Sequence, residues 1–396
     1  MKFIANIYYL FIALFLIFPS SFLSSLKTVV FLLLILSLFY VISVRKILIK
    51  DVLILLASFF GLTIHIIIGI TKDTILIEQG LMAFRAFITF FILLFTTYYF
   101  GKKDIINFIS FLKVVFYSVL IYLVGKIFLS FYIIIGGVDV LSLKEAMPGM
   151  VIQQFYGNPY LTRIVSATDI VNAFLFVFVV IIRDLKDIFN TKLYSFYLFL
   201  SAFLMIQSYT RYIWVVLFLV LSVKLFLLSK NRINNIFYVF VLILTVSIVS
   251  LMFFSEQVNL LIELLNIKFS DTTSLSVKSV QADYLFYEFT KHPLLGKGLG
   301  SYVEYYIRDN KQLFQYETQI FAFLMQFGIV GFVIFLSPII FIIIPYLRKN
   351  KQLLILAFFY FLWLLSGFTN PYLTVLACVS VYALFILYPI YLNKNV

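Results

Sequence analysis

Residues 318–345 read TQIFAFLMQFGIVGFVIFLSPIIFIIIP, a stretch without one charged side chain. An apolar run of this length is typical of a helix that crosses a membrane, because about 20 helical residues span the hydrocarbon core. Comparable runs recur along the whole chain, which is 64% hydrophobic and 12% charged over 396 residues. A soluble fold cannot hide that share of apolar surface, so a soluble enzyme, a disordered chain and a disulfide scaffold are excluded. The composition indicates an integral membrane protein.

The apolar runs predict an all-α polytopic membrane protein with about 12 transmembrane helices, in a single transmembrane domain over residues 1–396. Lys and Arg collect in the short loops after predicted helices two, four, six, eight and ten. By the positive-inside rule those loops and both termini are cytoplasmic, and the net charge of +13 does not indicate nucleic-acid binding. The predicted helices are 3–19, 28–44, 52–70, 82–100, 105–135, 161–182, 193–209, 211–228, 233–254, 318–345, 353–369 and 371–392.

On the other side of the membrane, one large periplasmic or extracellular loop joins predicted helices nine and ten, over residues 255–317. Loops of such length are usually functional. Within this loop, residues 277–291 are predicted to form a short amphipathic helix with Lys278 and Glu288 on its polar face. That pattern is typical of a helix lying at a membrane surface.

Several kinds of site are excluded by the residues that the sequence lacks. Its 1 cysteine, Cys378, cannot form an intrachain disulfide, and its 2 histidines, His65 and His292, are too few for a typical zinc site. The outer loops contain no D-x-D motif and the chain has no P-loop signature. The glycines of GKGLG at 296–300 lack the spacing of a nucleotide loop, and we interpret them as a flexible turn. No metal and no cofactor are expected.

Basic residues are predicted at the outer ends of membrane helices. Arg85, Arg163 and Arg211 would begin predicted helices four, six and eight, and Lys278 lies on the loop helix. Charged residues near membrane depth are costly and tend to be functional, although single ones also snorkel to the interface. Together these cations would suit an anionic headgroup such as a lipid diphosphate, which arginine binds as a fork.

Glu317 is the candidate general base. It lies where the long outer loop re-enters the membrane, and a carboxylate partly removed from water is suited to accept a proton. The alternative is an interfacial glutamate that faces water. Asp169 presents the same choice between polar packing and function, while Lys113 and Lys126 have no obvious partner in the sequence.

Short motifs add a family resemblance. They are HPLLGKGLG at 292–300, YETQ at 316–319, QFGIVG at 326–331, SYTR at 208–211, and Arg163 after Asn158-Pro159. This set resembles the bacterial O-antigen polymerase and O-antigen ligase family over about a third of the chain, at 155–215 and 275–335. The family often has arginine where Lys278 stands, and its ligases have histidine where Glu317 stands. The glutamate therefore favours a polymerase.

The resemblance implies a GT-C-like, metal-independent glycosyltransferase in the bacterial inner membrane. Its substrates would be glycans linked to polyprenyl diphosphate, with an active site that faces the periplasm or the outside. Arg163, Arg211 and Lys278 would hold the donor diphosphate, and Glu317 would be catalytic. Further candidates for substrate binding are Arg85, His292 and Lys297.

Two alternatives stay open beside the polymerase. One is an O-antigen ligase that transfers the glycan to lipid A core, and the other is a flippase for lipid-linked oligosaccharides. A flippase needs no outer loop as long as 255–317 and often shows two related halves, a repeat that this sequence lacks. The lipid bilayer and a chain-length-regulating membrane protein are candidate partners, and no nucleic-acid partner is expected.

Overall fold

The computed structural model describes residues 1–18, 23–45, 49–136, 140–147, 149–155, 158–182, 188–228, 273–347 and 350–395. The chain falls into two compact units. The first consists of Met1–Tyr122 with Val277–Val396, and the second of Leu123–Ser276. Both are mainly helical, and each is described by itself.

The first unit is built from helices that are apolar except for α10. They are α1 (Lys2–Ile17), α2 (Ser24–Val44), α3 (Ile49–Thr71), α4 (Ile77–Lys102), the first part of α5 (Phe108–Ile134), α10 (Thr273–Lys291) from Val277 onwards, α11 (Gln319–Phe341), α12 (Lys351–Leu365) and α13 (Val379–Asn395). The second unit contains the remainder of α5, α6 (Val140–Ala146), β1 (Val151–Phe155), β2 (Asn158–Val165), α7 (Ala167–Ile181), α8 (Thr191–Gln207) and α9 (Arg211–Val223), which a π-helical turn extends to Leu228.

Six helical segments in the described part of the chain are long and apolar enough to cross a membrane. They are Ser24–Val44, Ile77–Lys102, Phe108–Ile134, Gln319–Phe341, Lys351–Phe368 and Leu376–Lys394. Lys2–Ile17, Phe59–Thr71 and Ala167–Ile181 are apolar but shorter. The protein is thus a multi-pass membrane protein, and the count of twelve spans stays a prediction. The predicted helix at 233–254 and the start of the outer loop lie outside the described residues.

Helix α11 is kinked at Gly328, whose φ of 62° and ψ of −172° are not helical. Glycine reaches this conformation without steric cost. The kink exposes backbone groups that other segments bind. The amides of Ile329 and Val330 donate to the carbonyls of Pro293 and Leu294 at 2.8 and 3.1 Å. The segment between α10 and α11 is therefore hydrogen-bonded into the break in the helix.

An aromatic cluster packs α4 against α11 on both sides of that kink. The Phe87 ring lies 5.6 Å from the rings of Phe323 and Phe327 and 5.2 Å from that of Phe335, each in an edge-to-face arrangement. This geometry is the one that aromatic quadrupoles favour. The cluster fixes the relative position of two helices that carry residues of the site described below.

The expectation of an all-α fold is wrong in the second unit, where β1 and β2 form an antiparallel hairpin. Arg163, predicted to begin a helix, lies instead in β2 opposite Gln153. Helix α7 begins only after Ser166, because the Ser166 side chain accepts from Thr168 N and the Asp169 carboxylate accepts from Ser166 N. This capping box sets the helix start, and the β-branched residues before it suit a strand.

Candidate functional site

A polar cavity of about 630 Å³ lies in the first unit. Helices α4 and α11, the loop before α11 and the segment after α12 surround it. Its polar lining consists of Arg85, Thr89, Gln312, Gln315, Tyr316, Gln319, Gln326 and Thr374. The described lining of an apolar cavity of about 350 Å³ between α4, α11 and α13 contains no Lys, Arg, His, Asp or Glu. The polar cavity is therefore the better candidate for chemistry.

Arg85 is the charged residue of the polar cavity. The sequence placed it at the start of its helix, but α4 begins at Ile77, so Arg85 lies two turns inside the helix. Its side chain is exposed, and in the part of the chain that the structure describes no acidic residue lines the cavity beside it. The guanidinium is thus available to an anionic ligand.

Glu317 is held between two cations next to this cavity. Its Oε1 accepts from Arg308 Nη2 at 2.8 Å, and its Oε2 lies 3.3 Å from Lys278 Nζ. The ammonium of Lys278 also donates to the carbonyl of Thr369 at 2.8 Å. We call these three residues, Glu317, Arg308 and Lys278, the Glu317 cluster. All three side chains are partly exposed, so an anionic ligand can reach them from solvent.

Buried hydrogen bonds fix the backbone on both sides of Glu317. The buried hydroxyl of Tyr316 accepts from Val303 N at 2.8 Å. Thr318 donates through its amide and its hydroxyl to Gln281 Oε1 on α10, at 2.9 and 3.1 Å. Burial raises the pKa of Tyr316 to about 12, so this phenol stays protonated at neutral pH. The position of the Glu317 carboxylate is therefore set by α10 and by the loop.

The glycine motif is wrongly predicted as a flexible turn, because it is a tightly docked segment. Gly296, Gly298 and Gly300 all have positive φ. A Cβ on Gly298 would overlap Gly69 of α3, and one on Gly300 would come within 2.7 Å of the Gly80 Cα. The amide of Lys297 donates to Met325 O at 2.7 Å, and that of Leu299 to His65 O at 3.0 Å. The motif thus joins three helices through backbone contacts.

Lys297 is engaged in a buried network beneath that motif. Its ammonium lies 3.0 Å from Glu288 Oε2 and 3.0 Å from Tyr302 O. Glu288 also accepts from Lys291 at 2.6 Å and from the Tyr305 hydroxyl at 3.0 Å. Burial alone would raise the pKa of Glu288, but the bonds from Lys291 and Lys297 outweigh it and lower that pKa. These contacts support a structural role for Lys297.

His292 lies beside the same network. Its pKa is lowered by burial and by the positive charges of Lys72 and Lys297. A neutral imidazole is a weaker ligand for an anion than an imidazolium, so His292 is a poor phosphate ligand at neutral pH. Neither His292 nor Lys297 lines the polar cavity.

In the second unit, Arg163 is bonded to the SYTR motif. Its Nε donates to Ser208 O at 3.2 Å and its Nη2 to Thr210 Oγ1 at 3.3 Å. Arg211 is the first residue of α9. The structure therefore brings the hairpin and the SYTR segment together within this unit, two pieces that the resemblance had identified separately.

Two of the three charges left open in predicted helices five and six form a buried ion pair. Lys126 Nζ lies 2.6 Å from Asp169 Oδ1, and both side chains are almost fully buried. Asp169 also caps α7 through its other oxygen. The structure thus supports polar packing for Asp169, while Lys113 is exposed on α5.

Arg308 could not be predicted as a site residue, because it lies in an irregular loop without periodicity. It is recognised only when the loop folds back on Glu317. Among the described residues, no group of three or more His, Cys, Asp or Glu side chains is placed to hold a metal ion.

Comparison with known protein families finds a match over part of the chain. Residues 196–336 match the family model described as O-antigen ligase, which confirms the predicted resemblance to the O-antigen polymerase and ligase family. The matched range includes Arg211, the glycine motif and the Glu317 cluster, while Arg85 and Arg163 lie outside it. No curated protein and no solved structure matches the chain.

Proposed function

From the O-antigen ligase family segment at residues 196–336, we propose that this protein is a polysaccharide polymerase of the bacterial inner membrane. Its donor is a growing glycan on polyprenyl diphosphate, and its acceptor is one repeat unit on a second polyprenyl diphosphate. The transfer takes place at the outer face of a GT-C-like fold with twelve transmembrane helices. No metal is needed, because fixed cations stabilise the leaving group.

The observation that carries this proposal is the Glu317 cluster beside the polar cavity. A carboxylate with two cations within 3.3 Å offers, in one place, a proton acceptor and two groups that bind phosphate. The adjoining cavity of about 630 Å³ combines apolar side chains with amides and hydroxyls, which suit the ring faces and the hydroxyl groups of a glycan. Such a combination fits glycosyl transfer from a diphosphate.

The proposed step begins when the donor diphosphate binds Lys278 and Arg308 and draws them from Glu317. The released carboxylate takes the proton of the acceptor hydroxyl, whose oxygen attacks the anomeric carbon of the donor. The bond between that carbon and the phosphate oxygen breaks, and the diphosphate leaves with the electron pair. Confinement of both lipid-linked substrates to one leaflet raises their effective concentration.

The second unit has its own candidates for phosphate binding, Arg163 and Arg211. Arg163 already donates to Ser208 and Thr210, which orients its planar fork. We propose that Arg163 and Arg211 contribute to holding lipid diphosphate, as the family resemblance implies. Replacing the cations of each unit in turn will measure what each set adds.

An O-antigen ligase is the second candidate, and the description of the matching family model favours it. A ligase would share the donor and the Glu317 cluster, and it would differ in its acceptor, the lipid A core. A flippase is disfavoured, because transport does not require a carboxylate held between two cations.

The deciding experiment is a gel of surface glycolipid from a deletion strain complemented with wild type, Glu317→Gln or Arg211→Ala. For a polymerase, wild type restores a long ladder and both variants collapse it to core plus one repeat. Glu304→Gln, which changes an exposed glutamate of the same loop, is the matched control and should retain the ladder.

The other outcomes of this gel identify the alternatives. Loss of every repeat from the core, with full-length polymer still on the polyprenyl carrier, would establish a ligase. Repeat units that accumulate inside the cell would establish a flippase. A normal ladder from Glu317→Gln would overturn the assignment of the base.

A further inference from the structure

The charge of the polar cavity is unbalanced. Among the described residues of its lining, Arg85 is the single charged one, and the others are amides, hydroxyls and apolar side chains. An unpaired guanidinium within a candidate membrane span is costly. The cavity therefore presents one positive charge for which the surrounding lining supplies no counter-ion.

The amides around Arg85 are held in fixed positions. Gln319 donates to Thr374 Oγ1 at 2.7 Å and accepts from Leu373 N at 2.9 Å. Gln326 donates to Phe314 O and accepts from Gly300 N, both at 3.3 Å. Gln315 donates to Gln312. Each amide keeps hydrogen-bonding capacity beyond these contacts, because a glutamine has two donors and two acceptor sites.

This lining fits a sugar better than a phosphate. Fixed amides match the alternating donors and acceptors of sugar hydroxyls, and Phe87, Phe314 and Phe323 offer apolar surface to a ring. One cation balances one carboxylate, whereas a diphosphate brings more negative charge than Arg85 alone can neutralise. Lys278 and Arg308 do not line the cavity.

We infer that this cavity is a glycan subsite for an acidic sugar, whose carboxylate forms a two-pronged pair with Arg85. The inference rests on the proposed function and specifies its substrate as a repeat unit that contains a uronic acid or a related sugar acid. The volume of about 630 Å³ lies within the range of about 300–1,000 Å³ that is usual for small-ligand sites. Arg85 is then a specificity-determining residue.

Binding of sugar acids to the purified full-length protein in detergent tests this inference. The probes are methyl glycosides of glucuronic, galacturonic and mannuronic acid, each compared with its own carboxamide by saturation-transfer NMR competition. At least one acid should bind roughly tenfold tighter than its carboxamide. The carboxamide is uncharged and cannot form the two charge-assisted hydrogen bonds to the Arg85 guanidinium. Arg85→Gln should abolish that preference, and Arg85→Lys should restore only part of it.

Lys311→Gln is the matched control, because Lys311 is an exposed cation next to the lining residue Gln312 but is not part of the lining. It should keep the full preference for the acid. The inference is overturned if no acid outcompetes its carboxamide, or if the preference survives in Arg85→Gln. It is equally overturned if inorganic pyrophosphate binds in an Arg85-dependent way and no acid shows a preference, since the cavity would then bind diphosphate.

The glycolipid gel separates this inference from the proposed function. If the complemented strain makes its ladder while no sugar acid is preferred, the glycosyltransferase stands and the acidic subsite fails. If complementation does not change the glycolipid at all, the proposed function fails, whatever the sugar binding shows.

Discussion

At the scale of single residues, the role proposed for Glu317 depends on its two neighbours, Arg308 and Lys278. The sequence identified the carboxylate and Lys278, because both lie at recognisable positions of the family motifs. It could not identify Arg308, whose distance of 2.8 Å from Glu317 depends on the path of an irregular loop. A charged residue in such a loop can point in many directions, and only tertiary structure selects one.

Removing Arg308 tests its part in phosphate binding. We expect Arg308→Gln to slow chain growth by about 100-fold, the usual loss when a group that stabilises a leaving charge is removed. Lys278→Arg should retain activity, because a guanidinium can keep the ion pair to Glu317 and bind phosphate as a fork. Polymer length and rate in membranes with labelled lipid-linked substrate would measure both. Full activity of Arg308→Gln would show that Arg308 holds the loop in place and does not bind phosphate.

Glu288 should make the folded protein sensitive to acid. Its pKa is lowered in the folded state, so its contribution to stability is present above the unfolded value of about 4.3 and is lost as pH falls through the folded value. Thermal unfolding in detergent should show wild type losing Tm below about pH 4.5. Glu288→Gln should lower Tm at pH 7 and should lose less Tm than wild type as the pH falls. If both proteins lose the same amount of Tm at acid pH, that loss comes from other carboxylates.

At the scale of elements, apolar runs predicted most helices, but they did not predict the start of α7 or the rigidity of the glycine motif. The boundary at Ser166 depends on a capping box, and the strand before it lies within a continuous stretch that reads as helix. The glycine motif could not be predicted as rigid, because its partners Gly69 and Gly80 are more than 200 residues away in sequence. Because glycine has no side chain, a backbone contact between distant glycines produces no recognisable pattern in the sequence.

The docked glycine motif should tolerate no side chain. Gly298→Ala places a Cβ into the backbone of α3 at a φ of +111°. We expect a loss of about 3 kcal/mol or more, enough to reduce folded protein in the membrane. Gly125→Ala is the matched control, because nothing lies within 4 Å of its Cβ. Expression and Tm in detergent measure both variants, and an equal yield of the two would contradict tight docking.

The buried pair between α5 and α7 should be strongly coupled. Lys126→Met leaves the Asp169 charge buried without its cation and should cost about 3–5 kcal/mol. The double variant Lys126→Met with Asp169→Asn should recover part of that loss, since no uncompensated charge remains. A double-mutant cycle of unfolding free energies measures the coupling. Purely additive losses would show that the 2.6 Å pair contributes no specific interaction.

At the scale of the whole molecule, charge distribution predicts orientation where apolar runs give only the number of helices. The loop that contains Lys102 and Lys103 is predicted to be cytoplasmic, and the loop that contains Glu304 to face outward. The proposed transfer requires the second prediction, because Glu317 lies in the same loop as Glu304. Orientation therefore decides whether the Glu317 cluster can meet lipid-linked substrates after they have crossed the membrane.

Cysteine labelling tests this orientation directly. Cys378 is the one native cysteine and is buried, so Cys378→Ala gives a background without thiols. In intact cells, an impermeant maleimide should label Glu304→Cys and should fail to label Lys103→Cys. Permeabilised cells should show labelling at both positions, because both side chains are solvent-exposed or partly so. Labelling of Lys103→Cys from outside would invert the topology, place the Glu317 cluster in the cytoplasm and exclude a polymerase that acts on the outer face.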